Sequence, residues 1–224
     1  MNKPILVLFF ILFNNANFGQ NIYTSLPQKI DPSAKYIFYL HGHIVELSGR
    51  HPHSEEYGYY EYDKIIGRLA ESGSIVLGEV RQPNTDRFEY AKKVSAQIDS
   101  LMSSGVEPEN ITVIGASRGA FITMLISNEL RNKKINYVLL AIFNKRIVDI
   151  FIENNFILSG RILYIVDESD KIAGSSKPFL EKLQNESLLE FKEIITHMGN
   201  GHGLLFQPYD EWVLPALDWA KGTD

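Results

Sequence analysis

The sequence predicts an α/β protein built as a three-layer sandwich, with a mostly parallel sheet of about six strands between helices on both faces. Three observations lead there. Short runs rich in β-branched and aromatic residues alternate with longer stretches of helical period from residue 36 onward, the pattern that parallel crossovers require. A glycine-flanked serine at 115–119 lies directly between one strand run and one helical stretch. No internal repeat, low-complexity tract or Pro/Ser-rich linker interrupts residues 21–224, so they read as a single domain.

Residues 1–20 have the layout of a cleavable secretory signal. Lys3 gives a short positive segment, residues 5–13 (ILVLFFILF) form a hydrophobic run too short to span a bilayer, and Ala16 and Gly19 offer small residues ahead of a cleavage point near 17–21. A secreted or periplasmic protein with no membrane span after processing is the expectation. Strand runs fall at 36–40, 74–78, 111–114, 137–142, 161–166 and 191–196. Between them, 62–71 reads as a helix closed by Gly73, and 86–102 sets Phe88, Ala91, Val94, Ile98 and Leu101 on one stripe. Residues 121–130 are hydrophobic almost all round and read as a buried helix. The segments 177–183, with Pro178 near its start, and 209–220 complete the set. The stretch 143–159 has room for one short helix and none for a large cap, so a site at the carboxyl ends of the strands is expected to be open.

Composition narrows the chemistry. The 224 residues carry 22 Lys and Arg against 27 Asp and Glu, a net charge of -5, and removal of the single lysine in residues 1–20 takes it to -6. No basic field is present to hold nucleic acid. There is no cysteine, which excludes disulfides, Cys-ligated zinc, iron–sulfur clusters, a lipoprotein anchor and a thiol nucleophile. Covalent catalysis must use another group.

Gly115-x-Ser117-x-Gly119 supplies that group in the form of a nucleophile elbow. The glycines are needed because the strand-to-helix turn is too tight for side chains at those positions, and the serine between them is held in a strained conformation with its hydroxyl exposed. A serine hydroxyl is a weak nucleophile at neutral pH and needs a histidine base oriented by an acid. Both follow in chain order: Asp167 and Asp170 come after the run 161–166, and His197 and His202 after the run 191–196. Loop position favours Asp170, with Asp167 as the alternative. It also favours His202, between Gly201 and Gly203, over His197 at the strand end.

With these residues in this order, the chain resembles the α/β-hydrolase family, and the resemblance covers residues 36–219. The family's acid loop commonly reads Gly-x-x-Asp, so the match assigns Asp170 as the acid and leaves Asp167 where a glycine is usual. His41-Gly42-His43 after the first strand run resembles the family's oxyanion segment. By that match the backbone N–H of His43 is one oxyanion donor, Gly42 allows the turn and His41 holds the loop. The second donor is the backbone N–H of Arg118, which begins the helix after the nucleophile. The resemblance implies a serine hydrolase acting on a small-molecule acyl substrate, most readily a carboxylic ester, with no cofactor and no metal. It also implies a reduced sheet, because residues 21–34 are too few for the antiparallel hairpin that many members carry.

Two other classes stay open. A fold of this kind can serve as a non-catalytic binding protein. The pairs His41/His43 and His51/His53 can share a metal, although no Asp-His continuation accompanies them. Tyr57, Tyr59, Tyr60 and Tyr62 read either as half-buried packing or as a stacking surface beside the site. Glu79 and Arg81, after the second strand run, and Arg118 are candidate substrate contacts, with an internal ion pair as the alternative.

Overall fold

Runs rich in β-branched and aromatic residues become the centre of the sheet. The structure is a computed structural model and describes residues 21–182 and 188–222; the expected export signal at 1–20 lies outside them, as does the last residue of the helix expected over 177–183. In chain order the elements are β1 (Ile22–Tyr23), β2 (Tyr36–Leu40), α1 (His43–Ser48), β3 (His53–Ser54), β4 (Gly58–Tyr59), α2 (Tyr62–Ala70), β5 (Ile75–Leu77) and α3 (Arg87–Ser103). They continue with β6 (Ile111–Ala116), α4 (Arg118–Leu130), β7 (Asn136–Leu140), α5 (Lys145–Glu153), β8 (Gly160–Asp167), α6 (Lys177–Leu180), β9 (Leu188–Thr196) and α7 (Asp210–Lys221).

The main sheet has the order β1-β5-β2-β6-β7-β8-β9, and every neighbouring pair in it is parallel. Every residue of β2, β6 and β7 is buried, as strands covered on both faces require. Helices α3 and α4 pack on each other and α4 lies on β2, β6 and β7, while α7 covers β6, β7 and β8 and meets α2. The sheet has seven strands where about six were expected. The extra one is β1, two residues joined to β5 by Val76 N–H to the Asn21 carbonyl and Gly78 N–H to the Tyr23 carbonyl, both at 2.8 Å. Two residues are too few to show a strand period in sequence.

Local chemistry sets the helix ends. The Asp86 carboxylate accepts from the backbone N–H of Phe88 at 2.8 Å and of Glu89 at 3.0 Å, capping α3. Asn144 does the same for α5 through Ile147 N–H at 3.1 Å. The topology then fixes where a site can form. Strand β2 has β5 on one side and β6 on the other, so the chain reverses its direction of progress across the sheet there and opens a crevice at the carboxyl ends of β2 and β6. Leu40 pairs with Gly115 at that edge, which brings the loop after β2 beside the turn after β6.

Candidate active site

Ser117 occupies the turn between β6 and α4 with φ 51° and ψ -115°, a conformation that costs a non-glycine residue roughly 1–3 kcal/mol. The surroundings hold it there: its N–H donates to the Leu140 carbonyl at 2.9 Å and its carbonyl accepts from Phe121 N–H at 3.1 Å. The flanking glycines are demanded by space. A Cβ at Gly119 would collide with the Leu40 carbonyl group of β2, and one at Gly115 would collide with Thr123 Oγ1, the Gly119 carbonyl and the Ala120 backbone. Helix α4 can thus start close against the sheet, with the serine at its mouth.

His202 reaches Ser117 from a short 3-10 turn, Gly201–Leu205, between β9 and α7. Its Nε2 lies 2.9 Å from Ser117 Oγ and its Nδ1 lies 2.7 Å from Asp170 Oδ2. A carboxylate only accepts, so Nδ1 carries the proton and Nε2 is free to accept from the serine hydroxyl. The second oxygen of Asp170 accepts from Ile172 N–H at 2.7 Å and Ala173 N–H at 3.0 Å, which fixes the carboxylate plane. Burial pushes the Asp170 carboxyl up, but its bond and charge contact with His202 and the two backbone donors prevail and hold it below the usual carboxylate range. His197, the other candidate base, points away and pairs with Glu168 at 2.8 Å on an exposed surface.

Asp167, the alternative acid, is bonded to other groups. Its carboxylate accepts from the Ser169 hydroxyl and N–H at 2.5 and 3.1 Å, the Thr196 hydroxyl at 2.9 Å, Met198 N–H at 2.9 Å and Gly201 N–H at 3.2 Å. Burial works against ionisation, yet these donors outweigh it and hold the pKa at about 2. Asp167 therefore ties the acid loop to the histidine loop.

The loop after β2 crosses above the serine. His41 is buried with both ring nitrogens engaged: Nε2 accepts from Arg81 N–H at 2.9 Å, so Nδ1 carries the proton and donates to the Gly42 carbonyl at 2.8 Å. Burial, helped by the Arg81 charge, lowers its pKa to about 3 and keeps it neutral. Gly42 has φ -69° and ψ 173°, open to any residue, so the expected need for glycine in the turn itself does not arise. A Cβ there would make ordinary contacts with the Ala116 carbonyl oxygen at 3.7 Å and Ser117 Cβ at 3.9 Å, so the position lies directly beside Ser117. His43 and Arg118 are each the first residue of a helix, where a backbone N–H has no intrahelical carbonyl to meet.

No protein-family model matches the sequence, and no curated protein matches it either. Solved structures do match the fold. SOBER1 of Arabidopsis thaliana superposes with a TM-score of 0.54 at 17% identity over 85% of this chain and 99% of its own. An arylesterase gives a TM-score of 0.58 at 15% identity over 88% and 78%, and the Bacillus cereus carboxylesterase 0.53 at 17% over 87% and 91%. The chain has the α/β-hydrolase fold.

Within this α/β-hydrolase fold, two expected substrate contacts are placed elsewhere. The Arg81 side chain is fully buried, with Nε 3.2 Å from Glu46 Oε2 and Nη2 donating to the His41 carbonyl, so it braces the β2 loop from behind and cannot meet a substrate. Glu79 is bound by Lys93 at 2.6 Å and by the Tyr90 hydroxyl at 3.2 Å. The tyrosines are mainly packing. The Tyr60 hydroxyl bonds to that of Tyr39 at 2.5 Å in the core, Tyr62 is buried, and Tyr57 lies on Phe206 and against Gly203 of the histidine loop. The two His-x-His pairs are spread apart in use: His41 has no free nitrogen, His43 Nδ1 faces Arg118 at 3.2 Å, His51 pairs with Asp63 at 3.1 Å, and His53 stacks on Tyr59. Among the described residues no group of three or more His, Asp or Glu converges as a metal site would need.

A cleft of about 370 Å³ opens over Ser117. Phe121, Ile142, Ile147 and Ile172 make its apolar wall, and Arg87, Arg118 and Arg146 its charged one. Sequence reasoning found Arg118 and missed the rest, whose signal is positional: Arg87 and Arg146 each lie in the first turn of the helix that follows a strand of the sheet.

Proposed function

We propose that this chain is a serine hydrolase of carboxylic esters. The observation that carries the reading is His202 standing between Ser117 Oγ at 2.9 Å and Asp170 Oδ2 at 2.7 Å, in an elbow whose backbone is strained and whose neighbours leave room for a substrate carbonyl. Ser117 Oγ attacks the carbonyl carbon while His202 Nε2 takes its proton. The tetrahedral oxyanion accepts from the N–H groups of Arg118 and His43. The imidazolium then protonates the departing alkoxide, and a water molecule repeats the sequence to release the acid and restore the serine. Asp170 stabilises the imidazolium and sets its tautomer without taking a proton. The named esterases among the structural neighbours agree with this reaction class.

Labelling of the full chain with a fluorophosphonate probe tests the reading. Wild type is expected to label and Ser117→Ala to remain unlabelled, with esterase activity lost in parallel. A folded wild type that neither labels nor turns over a short-chain 4-nitrophenyl ester refutes it and leaves the binding-protein reading in place.

A further inference from the structure

The cleft over Ser117 is where the charge of the molecule reverses. The chain as a whole carries -5, yet among the described residues three arginines line the cleft and no Asp or Glu does. They arrive from three successive crossovers: Arg87 begins α3 after β5, Arg118 begins α4 after β6, and Arg146 sits in the first turn of α5 after β7. Arg118 is fixed, its guanidinium placed 3.3 Å from Glu46 Oε2, 3.2 Å from His43 Nδ1 and 3.3 Å from the Thr85 carbonyl. Among the described residues neither Arg87 nor Arg146 forms an ion pair with a carboxylate, and the Asp86 and Glu46 charges offset only part of the repulsion at Arg87. The guanidinium of Arg87 rests over the Phe121 ring at 5.0 Å, and the adjacent Asp86 carboxylate is occupied in capping α3.

These cations stand close enough to oppose one another. Burial and then the charges of Arg118 and Arg146 push the Arg87 guanidinium below its ordinary pKa. Like charges gathered beside an apolar wall are unfavourable unless an anion joins them, and a guanidinium fork matches the oxygens of a carboxylate or phosphate. We propose that the cleft binds an oxyanion carried by the ester that Ser117 attacks, with Arg87 and Arg146 as its direct ligands and Arg118 as a fixed third cation. The proposal rests on the serine-hydrolase reading for its reaction and defines the substrate class as acidic esters.

The test compares kcat/KM of the full chain for the 4-nitrophenyl half-ester of glutarate with that for 4-nitrophenyl hexanoate, similar in length and uncharged. Wild type is expected to prefer the anionic ester about tenfold or more, and Arg87→Gln and Arg146→Gln each to cut that preference about tenfold, through KM. Arg146→Lys, which keeps the charge but not the fork, retains part of it. Competition by glutarate alone assigns a carboxylate, and by inorganic phosphate alone a phosphate. Absence of preference in wild type, or a preference unchanged in both Gln variants, overturns the proposal while leaving a hexanoate-hydrolysing serine enzyme intact. Calorimetric binding of the glutarate half-ester to Ser117→Ala makes the test independent of turnover: binding weakened by Arg146→Gln and by high salt supports the cleft even in an inert protein, and absence of binding overturns it. Arg146 is exposed, so its variants carry little risk to folding.

Discussion

Asp167 ends β8 and Asp170 stands three residues beyond it, and the two carboxylates have different partners. Asp170 gives one oxygen to His202 and the other to two backbone N–H groups, whereas Asp167 gives both of its oxygens to structure. Asp170→Asn is therefore expected to lower kcat by about 10³–10⁴ with little change in melting temperature. Asp167→Asn is expected to lose on the order of 2 kcal/mol of stability, with the activity of the molecules that remain folded affected far less. Thermal denaturation beside ester turnover checks both, and the opposite pattern would assign the acid to Asp167. Spacing alone brought both carboxylates to the end of β8 and favoured Asp170. What separates them in the structure is the set of donors around each, and Thr196, Met198 and Gly201 reach Asp167 only once β8 and β9 are paired.

At the scale of elements, the site depends on how closely α4 approaches β2. Gly119 makes the approach, and a methyl group there meets backbone that cannot swing aside. Gly119→Ala is expected to destabilise the fold by about 3 kcal/mol or more and to abolish activity. Gly67→Ala is the control: inside α2, with open space around it, it should stabilise by about 0.5–1 kcal/mol. Chemical denaturation of the two variants reads the contrast. Strands β2, β6 and β7 were legible in sequence because burial on both faces leaves runs that are apolar at nearly every position. The elements that were not legible are short or held by tertiary contacts. β1 has two residues, the β3–β4 hairpin has two per strand, and α1 is a six-residue helix whose Glu46 is buried by pairing with Arg81 and Arg118. Edge strand β9 begins at Leu188, three residues before the run expected over 191–196, and Glu190 breaks the pattern between the two starts.

For the molecule as a whole, buried titratable groups make acid the destabilising direction. The folded pKa of His41 is about 3 against 6.5 unperturbed, so the unfolded chain binds a proton that the folded chain refuses. Its contribution is complete above pH 6.5 and is lost as the pH falls toward 3. Asp167, at about 2 against 3.8, contributes above its unfolded value and loses that contribution as the pH falls through the lower one. Stability measured by denaturant titration is thus expected to rise with pH from about 3 to 6.5, and His41→Asn, though less stable overall, to flatten that slope. Net charge could not have shown the basic cleft, because its three arginines are far apart in sequence and meet only when successive crossovers start from one edge of the sheet.

The Ser169 hydroxyl that donates to Asp167 also accepts from Gly201 N–H at 2.9 Å, an N–H shared with Asp167, and Met198 N–H adds a separate bond to Asp167, so two backbone donors tie the loop bearing His202 to the loop bearing Asp170. Together they face the elbow, where His202 Nε2 meets Ser117 Oγ at 2.9 Å. On the serine-hydrolase reading proposed above, the conformational freedom that an acid, a base and a nucleophile must surrender before a proton can move is given up largely during folding rather than at each turnover.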